Sequence, residues 1–252
     1  MPIRTENNRA GITEVVIDAP PVNALTVDGW FDLADQLIAA GRNPECRVVI
    51  LRSEGRGFQA GVDIKEIQEK GDEALIGCNR GCFAAFAAVY DCEVPVIASV
   101  GGFCLGGGIG LVGNADMIVA SDDATFGLPE VDRGALGAAT HLSRLVPQHL
   151  MRRMLYTAEP IGAAELALYG SIWKVTPRAE LMDATYELAE KIASKSPSIL
   201  RRAKEAVNGI DPVDVKRSYR YEQGFTYELH VRGVADEQRA AFVEKRDADT
   251  SR

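Results

Sequence analysis

The chain has 252 residues, of which 46% are hydrophobic and 25% are charged, and its formal net charge at pH 7 is −8. This length allows a substantial hydrophobic core, in one large domain or in one domain with an appended lobe. The negative charge argues against nucleic acid as a partner, because phosphate binding needs a clustered basic face.

The cysteine and histidine content argues against a metal site. The five cysteines are odd in number and lack the paired spacing of zinc sites, and only three histidines are present. The sequence has neither a signal-peptide-like apolar segment near its start nor a run of about 18 apolar residues, so we expect no membrane partner. These features predict a cytoplasmic protein with reduced, buried thiols.

Hydrophobic patterning predicts an α/β protein that becomes helical towards its C-terminus. Residues 12–17 alternate apolar and polar side chains, as in a half-buried strand, and residues 26–40 have apolar side chains at helical spacing. Residues 48–51 form a short apolar run typical of a buried strand. The elements predicted after these are a helix at 77–90, strands at 95–100 and 117–120, helices at 144–156, 163–169 and 181–195, and further helices from residue 197. Strands that alternate with helices predict crossover connections in an α/β core.

Three consecutive glycines, Gly106 to Gly108, stand between a strand-like segment and a helix-like segment. Glycine lets the backbone approach a ligand closely, and the N–H groups at a helix start have no acceptor within the helix. Those donors, helped by the positive end of the helix dipole, can hold an oxygen that becomes anionic during a reaction. The run is therefore a candidate oxyanion hole, although a tight crossover that needs close packing would show the same glycines.

A second bend of small residues follows the strand predicted at residues 48–51. Residues 53–64 read Ser-Glu-Gly-Arg-Gly-Phe-Gln-Ala-Gly-Val-Asp-Ile, which is a polar glycine turn and then a bend that leads into a helix. Two such bends after two neighbouring strands would direct two N–H groups at one point.

Four segments occur in a recognisable order along the chain. They are residues 57–66 (GFQAGVDIKE), 95–98 (PVIA), 102–108 (GFCLGGG) and 124–130 (ATFGLPE). With residues 21–25 (PVNAL) and 241–246 (AFVEKR), these segments resemble the enoyl-CoA hydratase/isomerase (crotonase) superfamily over nearly the whole chain. The resemblance implies a crotonase-like spiral of ββα units at residues 1–195 that holds the acyl-CoA site. It also implies a C-terminal helical region, residues 196–252, that completes the pocket and packs on neighbouring subunits in a homotrimer or hexamer.

The resemblance also implies how the site works. In the superfamily, the thioester oxygen of an acyl-CoA lies between two backbone N–H groups that stabilise an enolate. Matching the motifs assigns these two donors to Ala60 and Gly107. Losing one such donor typically costs about 3–4 kcal/mol of transition-state stabilisation. No separate cofactor is implied, because coenzyme A is part of the substrate.

Further residues are implied to contact the substrate. The bend at residues 60–64 would cradle the adenine and pantetheine parts of the coenzyme, and residues 23–25 would line the opposite wall. Lys245 and Arg246 would reach a coenzyme phosphate, unless they form only a solvated terminal charge cluster. The implied substrate-binding residues are Ala24, Gly61, Val62, Asp63, Ile64, Gly106, Ala138 and Lys245.

Two positions bear on the reaction, because typical enoyl-CoA hydratases hold one water between two glutamates. Gly110 stands where the first glutamate is expected, and Glu130 matches the second, so simple hydration is not favoured. We expect Glu130 to act as an acid or base, with a pKa that apolar surroundings would raise; the alternative is that it caps a turn or pairs with Arg133. His141 stands where many relatives have glycine, so it is either a proton shuttle or a helix-start residue bonded to a carbonyl.

Three longer segments carry a narrower resemblance: residues 79–86, 126–153 and 221–226. They resemble the bacterial hydrolases that open the five-membered ring of a bicyclic diketo acyl-CoA in steroid degradation. In the implied retro-Claisen reaction, hydroxide adds to a ring ketone, and the adduct expels a carbanion whose charge reaches the thioester oxygen. Glu130 would activate the water, directly or through His141.

Other activities stay open within the superfamily. Ala138 stands where dienoyl-CoA isomerases carry an aspartate, which argues against that activity. The remaining alternatives are an enoyl-CoA hydratase or isomerase of fatty-acid-type substrates and an inactive CoA-binding scaffold. Dependence of turnover on Glu130 would favour an enzyme, and binding without turnover would favour the scaffold.

Overall fold

The structure is a computed structural model that describes residues 2–248. Within this range the strands are β1 (Ile3–Arg9), β2 (Ile12–Ile17), β3 (Val48–Ser53), β4 (Val96–Val100), β5 (Phe103–Leu105), β6 (Met117–Ser121), β7 (Thr125–Gly127), β8 (Ile161–Gly162) and β9 (Lys174–Thr176). The α-helices are α1 (Val27–Arg42), α2 (Ile64–Lys70), α3 (Asp72–Tyr90), α4 (Gly107–Val112), α5 (Ala139–Leu142), α6 (Gln148–Thr157), α7 (Ala163–Ala167), α8 (Leu181–Ala193), α9 (Pro197–Gly209), α10 (Val215–Val231) and α11 (Val234–Glu244). Short 3₁₀ turns lie at Glu130–Arg133 and Arg178–Glu180.

The strands form a large sheet and a small sheet. The large sheet has the order β1-β2-β3-β4-β6-β9, in which β1 is antiparallel to β2 and the other neighbours are parallel. The small sheet has the order β5-β7-β8. The chain passes from β4 in the large sheet to β5 in the small sheet and then into α4, and β6 is likewise followed by β7. This architecture confirms the predicted α/β fold built as a spiral of ββα units.

Strand β2 is buried on both faces, so the prediction of a half-buried strand is wrong. Val15 and Ile17 pack in the core that includes α1, whereas Ile12 packs in a second core with α8. The intervening Glu14 is 1% exposed and accepts a hydrogen bond from Arg52 Nε at 2.6 Å. A buried carboxylate is tolerated when it is paired in this way, so the polar residues of β2 do not mark a solvent-exposed face.

The predicted helices are present, with shifted ends. Helix α1 begins after Thr26, whose hydroxyl accepts a hydrogen bond from the Gly29 N–H at 3.2 Å as an N-cap. The helix predicted at residues 77–90 begins earlier, at Asp72. The helix predicted at residues 144–156 begins at Gln148, because a turn precedes it and Pro147 stands at its N-cap.

The C-terminal helices pack on the rest of the same chain. Helix α10 contacts α3 and α5, while α11 contacts α2 and the turn at Glu130–Arg133. In α9, Lys204 is 5% exposed and forms an ion pair with Asp116 at 2.8 Å. The division at residue 196 and the packing on neighbouring subunits stay predictions. Among the helices of residues 2–248, none combines the length and the apolar character needed to cross a membrane.

Candidate active site

The two small-residue bends meet at one end of the sheets. Strands β3 and β4 are parallel neighbours, and Gln59, in the bend after β3, pairs with Cys104 of β5. Gly61 has φ of +94°, and a Cβ at this residue would stand 3.4 Å from the backbone nitrogen of Gly107. The bare backbone of Gly61 therefore leaves the space beside the Gly107 N–H open for a ligand.

The two predicted oxyanion donors are free to bind a ligand. Gly107 is the first residue of α4, so its N–H has no acceptor within the helix. The Ala60 N–H has no hydrogen-bond acceptor within the part of the chain that the structure describes. Between them, the Gln59 side chain accepts from the Gly61 N–H at 2.7 Å and donates to the Gly61 carbonyl at 2.8 Å. Gln59 is fully buried and supports the bend through these two bonds. This residue was not among the predicted site residues, and the signal for it in the sequence is a polar side chain among small ones.

Below the bends lies a cavity of about 230 Å³. It is lined by the bends and the start of α4, by α3, and by α10 and α11. Most of the lining is apolar, which suits an acyl chain or a hydrocarbon ring. The residues of α3, α10 and α11 that line it are Leu75, Cys78, Asn79, Cys82, Phe86, Tyr219, Thr226, Arg239 and Phe242.

Glu130 is the carboxylate of this cavity. It begins the 3₁₀ turn that follows Pro129, and its Oε2 is buried with no hydrogen-bond partner in residues 2–248. A Cβ at Gly106 would stand 2.9 Å from its Oε1, so the carboxylate lies directly over the turn that carries Gly107. Burial raises the pKa of Glu130 to about 8, with a further contribution from Glu222, against the opposing effects of its own backbone N–H and Arg133. Such a group can accept and return a proton near neutral pH.

The alternative in which Glu130 pairs with Arg133 finds no support in the geometry. Within the described residues, no ion pair joins it to Arg133. The Arg133 guanidinium instead lies over the Phe242 ring, 3.9 Å from its centroid, and donates to the Asp132 carbonyl at 3.3 Å. Burial lowers the pKa of Arg133, against the effects of Asp132 and Glu130.

At Gly110, where a hydratase would carry its first glutamate, there is no space for a side chain. A Cβ at this residue would stand 2.1 Å from Cζ of Phe86. The Phe86 ring is itself held by an edge contact with Trp30, at 5.7 Å between centroids, and it lines the cavity. The Phe86 ring therefore occupies the space that the side chain of a glutamate would need at this position.

His141 does not line the cavity. Its ring is 1% exposed and packs between Phe86 and Tyr219, at centroid distances of 5.1 and 4.9 Å. Neither ring nitrogen has a hydrogen-bond partner within residues 2–248, so it bonds neither to a carbonyl nor to Glu130. Burial, and secondarily Arg144, lowers the pKa of His141 to about 3. The structure thus does not bring His141 and Glu130 together, and a proton shuttle through His141 stays an untested prediction that this geometry does not favour.

The other predicted binding residues divide into two groups. Those that line the cavity are Gly61, Val62, Ile64, Gly106 and Ala138. Ala24 and Asp63 do not line it: the Asp63 N–H bonds to the Leu25 carbonyl, and the Asp63 side chain caps α2 by accepting from the Lys65 N–H at 3.0 Å. Lys245 is exposed at the end of α11, whereas Arg246 forms ion pairs with Glu237 and Glu244, each at 2.6 Å.

Three residues of α10 that support the cavity wall were not among the predicted site residues. Glu222 accepts hydrogen bonds from the Ala139 and Thr140 N–H groups at 2.9 and 2.7 Å, and also from the Thr140 hydroxyl. Thr226 donates to the Leu136 carbonyl at 2.6 Å and accepts from the Leu136 N–H at 2.9 Å. The third residue, Gln223, donates from Nε2 to the Asn79 carbonyl of α3 at 2.6 Å. The bonds of Glu222 and Thr226 hold the loop that carries Ala138. The signal for these three residues in the sequence is the resemblance of residues 221–226.

The cysteines are free thiols buried in the protein. Cys78 and Cys82 line the cavity, and burial raises the pKa of Cys78 to about 12. Cys104, which adjoins the glycine run, does not line the cavity, and burial raises its pKa well above the usual value. All three are therefore protonated near neutral pH, which makes them weak nucleophiles.

The spiral of ββα units, the paired bends and the single carboxylate define an acyl-CoA enzyme class. The chain belongs to the enoyl-CoA hydratase/isomerase family, whose model matches residues 7–251. A relative from Rhodococcus jostii, named (7aS)-7a-methyl-1,5-dioxo-2,3,5,6,7,7a-hexahydro-1H-indene-carboxyl-CoA hydrolase, is 63% identical over 245 residues, or 97% of this chain and 95% of the relative. A hydrolase of the same name from Mycobacterium tuberculosis is 62% identical over 246 residues, or 97% and 100%. Among solved structures, carnitinyl-CoA hydratase from Mycobacterium avium is 28% identical, with a TM-score of 0.87 and 99% and 98% coverage.

Proposed function

We propose that this protein hydrolyses a carbon–carbon bond of a bicyclic diketo acyl-CoA and thereby opens its five-membered ring. One observation carries the proposal: among the described residues, the only carboxylate that lines the cavity is Glu130, which lies over the turn of Gly107 with its Oε2 buried, while Phe86 fills the space beside Gly110. A ring-opening hydrolysis needs one base and one later proton donor, whereas hydration in this family uses two glutamates. The two hydrolases at 62–63% identity support the same reaction.

The chemistry balances with the groups present. Glu130 accepts a proton from water while the water oxygen bonds to the ring carbonyl carbon. The bond between that carbon and its ring neighbour then breaks, which regenerates a C=O and leaves an electron pair on the neighbouring carbon. Conjugation carries the charge to the thioester oxygen, where the Ala60 and Gly107 N–H groups would stabilise it. Glu130 returns its proton to carbon, and the new carboxylic acid releases a proton to solvent.

We propose that the coenzyme is part of the substrate and that no separate cofactor takes part. Val62 and Ile64 would contact its pantetheine arm, with Ala24 and Asp63 beside them and Lys245 reaching a phosphate. A homotrimer or hexamer and a cytoplasmic location stay predictions. Light scattering after gel filtration measures the number of subunits, and a monomer at working concentration would contradict this prediction.

The test of the reaction is mass-spectrometric turnover in oxygen-18 water. The wild type, Glu130→Gln and the control Glu205→Gln, which changes an exposed carboxylate on α9, are each given the bicyclic diketo acyl-CoA and crotonyl-CoA. We expect a ring-opened product with the label in its new carboxylate, formed by the wild type and the control and lost in Glu130→Gln. Water addition to crotonyl-CoA alone would identify a hydratase instead. Binding of both thioesters without turnover would identify a scaffold.

A further inference from the structure

Asn79 has an unused hydrogen-bond donor beside the cavity. It lies on α3, lines the cavity, and its Nδ2 is buried with no hydrogen-bond partner within residues 2–248. Its backbone is held firmly, because its carbonyl accepts a hydrogen bond at 2.6 Å from Nε2 of Gln223, which is 1% exposed. The backbone of Asn79 is thus bound to α10, while its side-chain donor makes no bond.

The surroundings of this amide are unfavourable unless a ligand binds it. The neighbouring residues that α3 presents to the cavity are apolar or thiols: Leu75, Cys78, Cys82 and Phe86. A buried donor without a partner typically costs about 1–3 kcal/mol, so one that persists in a binding cavity indicates a role with a ligand. In the described chain, the other unpartnered buried side-chain atom that lines the cavity is Oε2 of Glu130; those of Trp30 and His141 lie outside its lining.

We infer that Asn79 Nδ2 donates a hydrogen bond to the ring carbonyl oxygen that becomes an alkoxide when water adds. This inference rests on the proposed ring opening. That reaction develops negative charge on two separate oxygens, and the Ala60 and Gly107 N–H groups would serve only the thioester oxygen. The ring carbonyl needs a second donor on the cavity wall, and Asn79 supplies a neutral one that does not compete with Glu130 for the proton.

The alkoxide that Asn79 would stabilise exists only during the reaction. Water delivers its oxygen to the ring carbonyl carbon and its proton to Glu130, and the former carbonyl oxygen takes the displaced electron pair. Asn79 stabilises that alkoxide until the carbon–carbon bond breaks and the C=O forms again. The bond that Asn79 makes is therefore stronger in the transition state than with the bound ketone, and its removal affects the rate more than binding.

The test uses Asn79→Leu, which keeps the number and branching of the side-chain heavy atoms and removes the donor. Arg80→Leu, at the next and exposed position of α3, is the matched control for a new leucine on this helix. Single-turnover ring opening and binding are measured with the diketo thioester and with an analogue that has CH₂ in place of the five-membered-ring ketone. We expect single-turnover rates to fall by about 10²–10³-fold in Asn79→Leu and to stay unchanged in Arg80→Leu. Binding of the ketone-free analogue should change less than about twofold in both variants.

Two outcomes would overturn the role of Asn79. One is a wild-type rate of ring opening by Asn79→Leu; the other is equal weakening of both ligands with an unchanged single-turnover rate, which would mean that Asn79 only shapes the cavity. Asn79→Ala removes the donor without adding bulk, so it should also lose turnover and serves if the leucine variant does not fold. Failure of the wild type to open the ring would instead refute the proposed function, and this inference with it.

Discussion

A Cβ on Gly106 would stand 2.9 Å from Oε1 of Glu130, and Gly106 has φ of +57°. The glycine thus serves two purposes in one position: it allows the left-handed turn into α4, and it leaves room for the carboxylate above that turn. The Glu130 carboxylate thus lies next to the backbone that carries the Gly107 N–H.

We predict that Gly106→Ala lowers kcat/KM by about 10²-fold or more, because the added methyl group displaces the Glu130 carboxylate. Steady-state kinetics with the diketo thioester measure the effect. Gly170→Ala is the matched control, since Gly170 also has positive φ, +79°, and a Cβ there would meet nothing within 4 Å. It should show similar backbone strain and normal activity, and equal losses in both variants would contradict the steric explanation.

We predict that kcat/KM rises with pH up to about 8, because a base must be ionised and burial raises the pKa of Glu130 to about 8. The slope should be tenfold per pH unit below that value and absent in the residual activity of Glu130→Gln. A kcat/KM that stays flat between about pH 6 and 8 would contradict the assignment.

The same group predicts a pH dependence of stability. Between its ordinary pKa of 4.5 and its folded value of about 8, Glu130 binds a proton in the folded state and not in the unfolded state. The free energy of unfolding of the wild type, relative to Glu130→Gln, should therefore fall as pH rises through this window, by up to about 1.4 kcal/mol per pH unit. Urea denaturation of both proteins across the window measures it, and a constant difference would disprove the shifted pKa.

We predict that Gly110→Ala lowers the free energy of unfolding by about 1–3 kcal/mol, because the methyl group overlaps the Phe86 ring. Gly224→Ala is the matched control, since both glycines lie in helices and a Cβ at Gly224 would meet nothing within 4 Å. That control should be neutral or stabilise the protein by up to about 1 kcal/mol. Urea denaturation measures both variants. A similar increase in the free energy of unfolding of both would show that the Phe86 ring moves aside at little cost and would contradict the prediction.

We predict that Glu222→Gln lowers the free energy of unfolding by about 1–2 kcal/mol and raises KM. Both carboxylate oxygens accept hydrogen bonds from the start of α5, and the amide can replace only one of them. The loop that carries Ala138 loses support as a result. Glu228→Gln changes an exposed carboxylate on the same helix that pairs with Arg232, and should alter stability by less than about 0.5 kcal/mol. Equal effects of the two changes would remove Glu222 from the supporting role.

Much of the fold and part of the site are predictable from sequence. The strand at residues 48–51, the helix after Thr26 and the two bends depend on hydrophobic patterning, an N-cap and glycines, which are local properties. The departures from the prediction have a tertiary cause. The polar Glu14 predicts an exposed face for β2, yet Arg52 pairs with it inside the protein. The segment around His141 resembles one that lines the acyl pocket of the family, yet His141 packs behind Phe86 and Tyr219, which line the cavity in its place.

By itself, the sequence determined where the two small-residue bends lie. Through its resemblance to the family, it also predicted that Ala60 and Gly107 are the oxyanion donors and that Gly110 stands in place of one hydratase glutamate. The tertiary structure alone decided the burial of Glu130, the filling of the Gly110 position by Phe86, and the free donor of Asn79. The reason is that burial and hydrogen-bond satisfaction depend on groups distant along the chain: Gln223 binds the Asn79 carbonyl from 144 residues away, and Glu222 binds the Ala139 N–H from 83 residues away. A sequence pattern states which groups are present, whereas only packing states which of them are left without a partner.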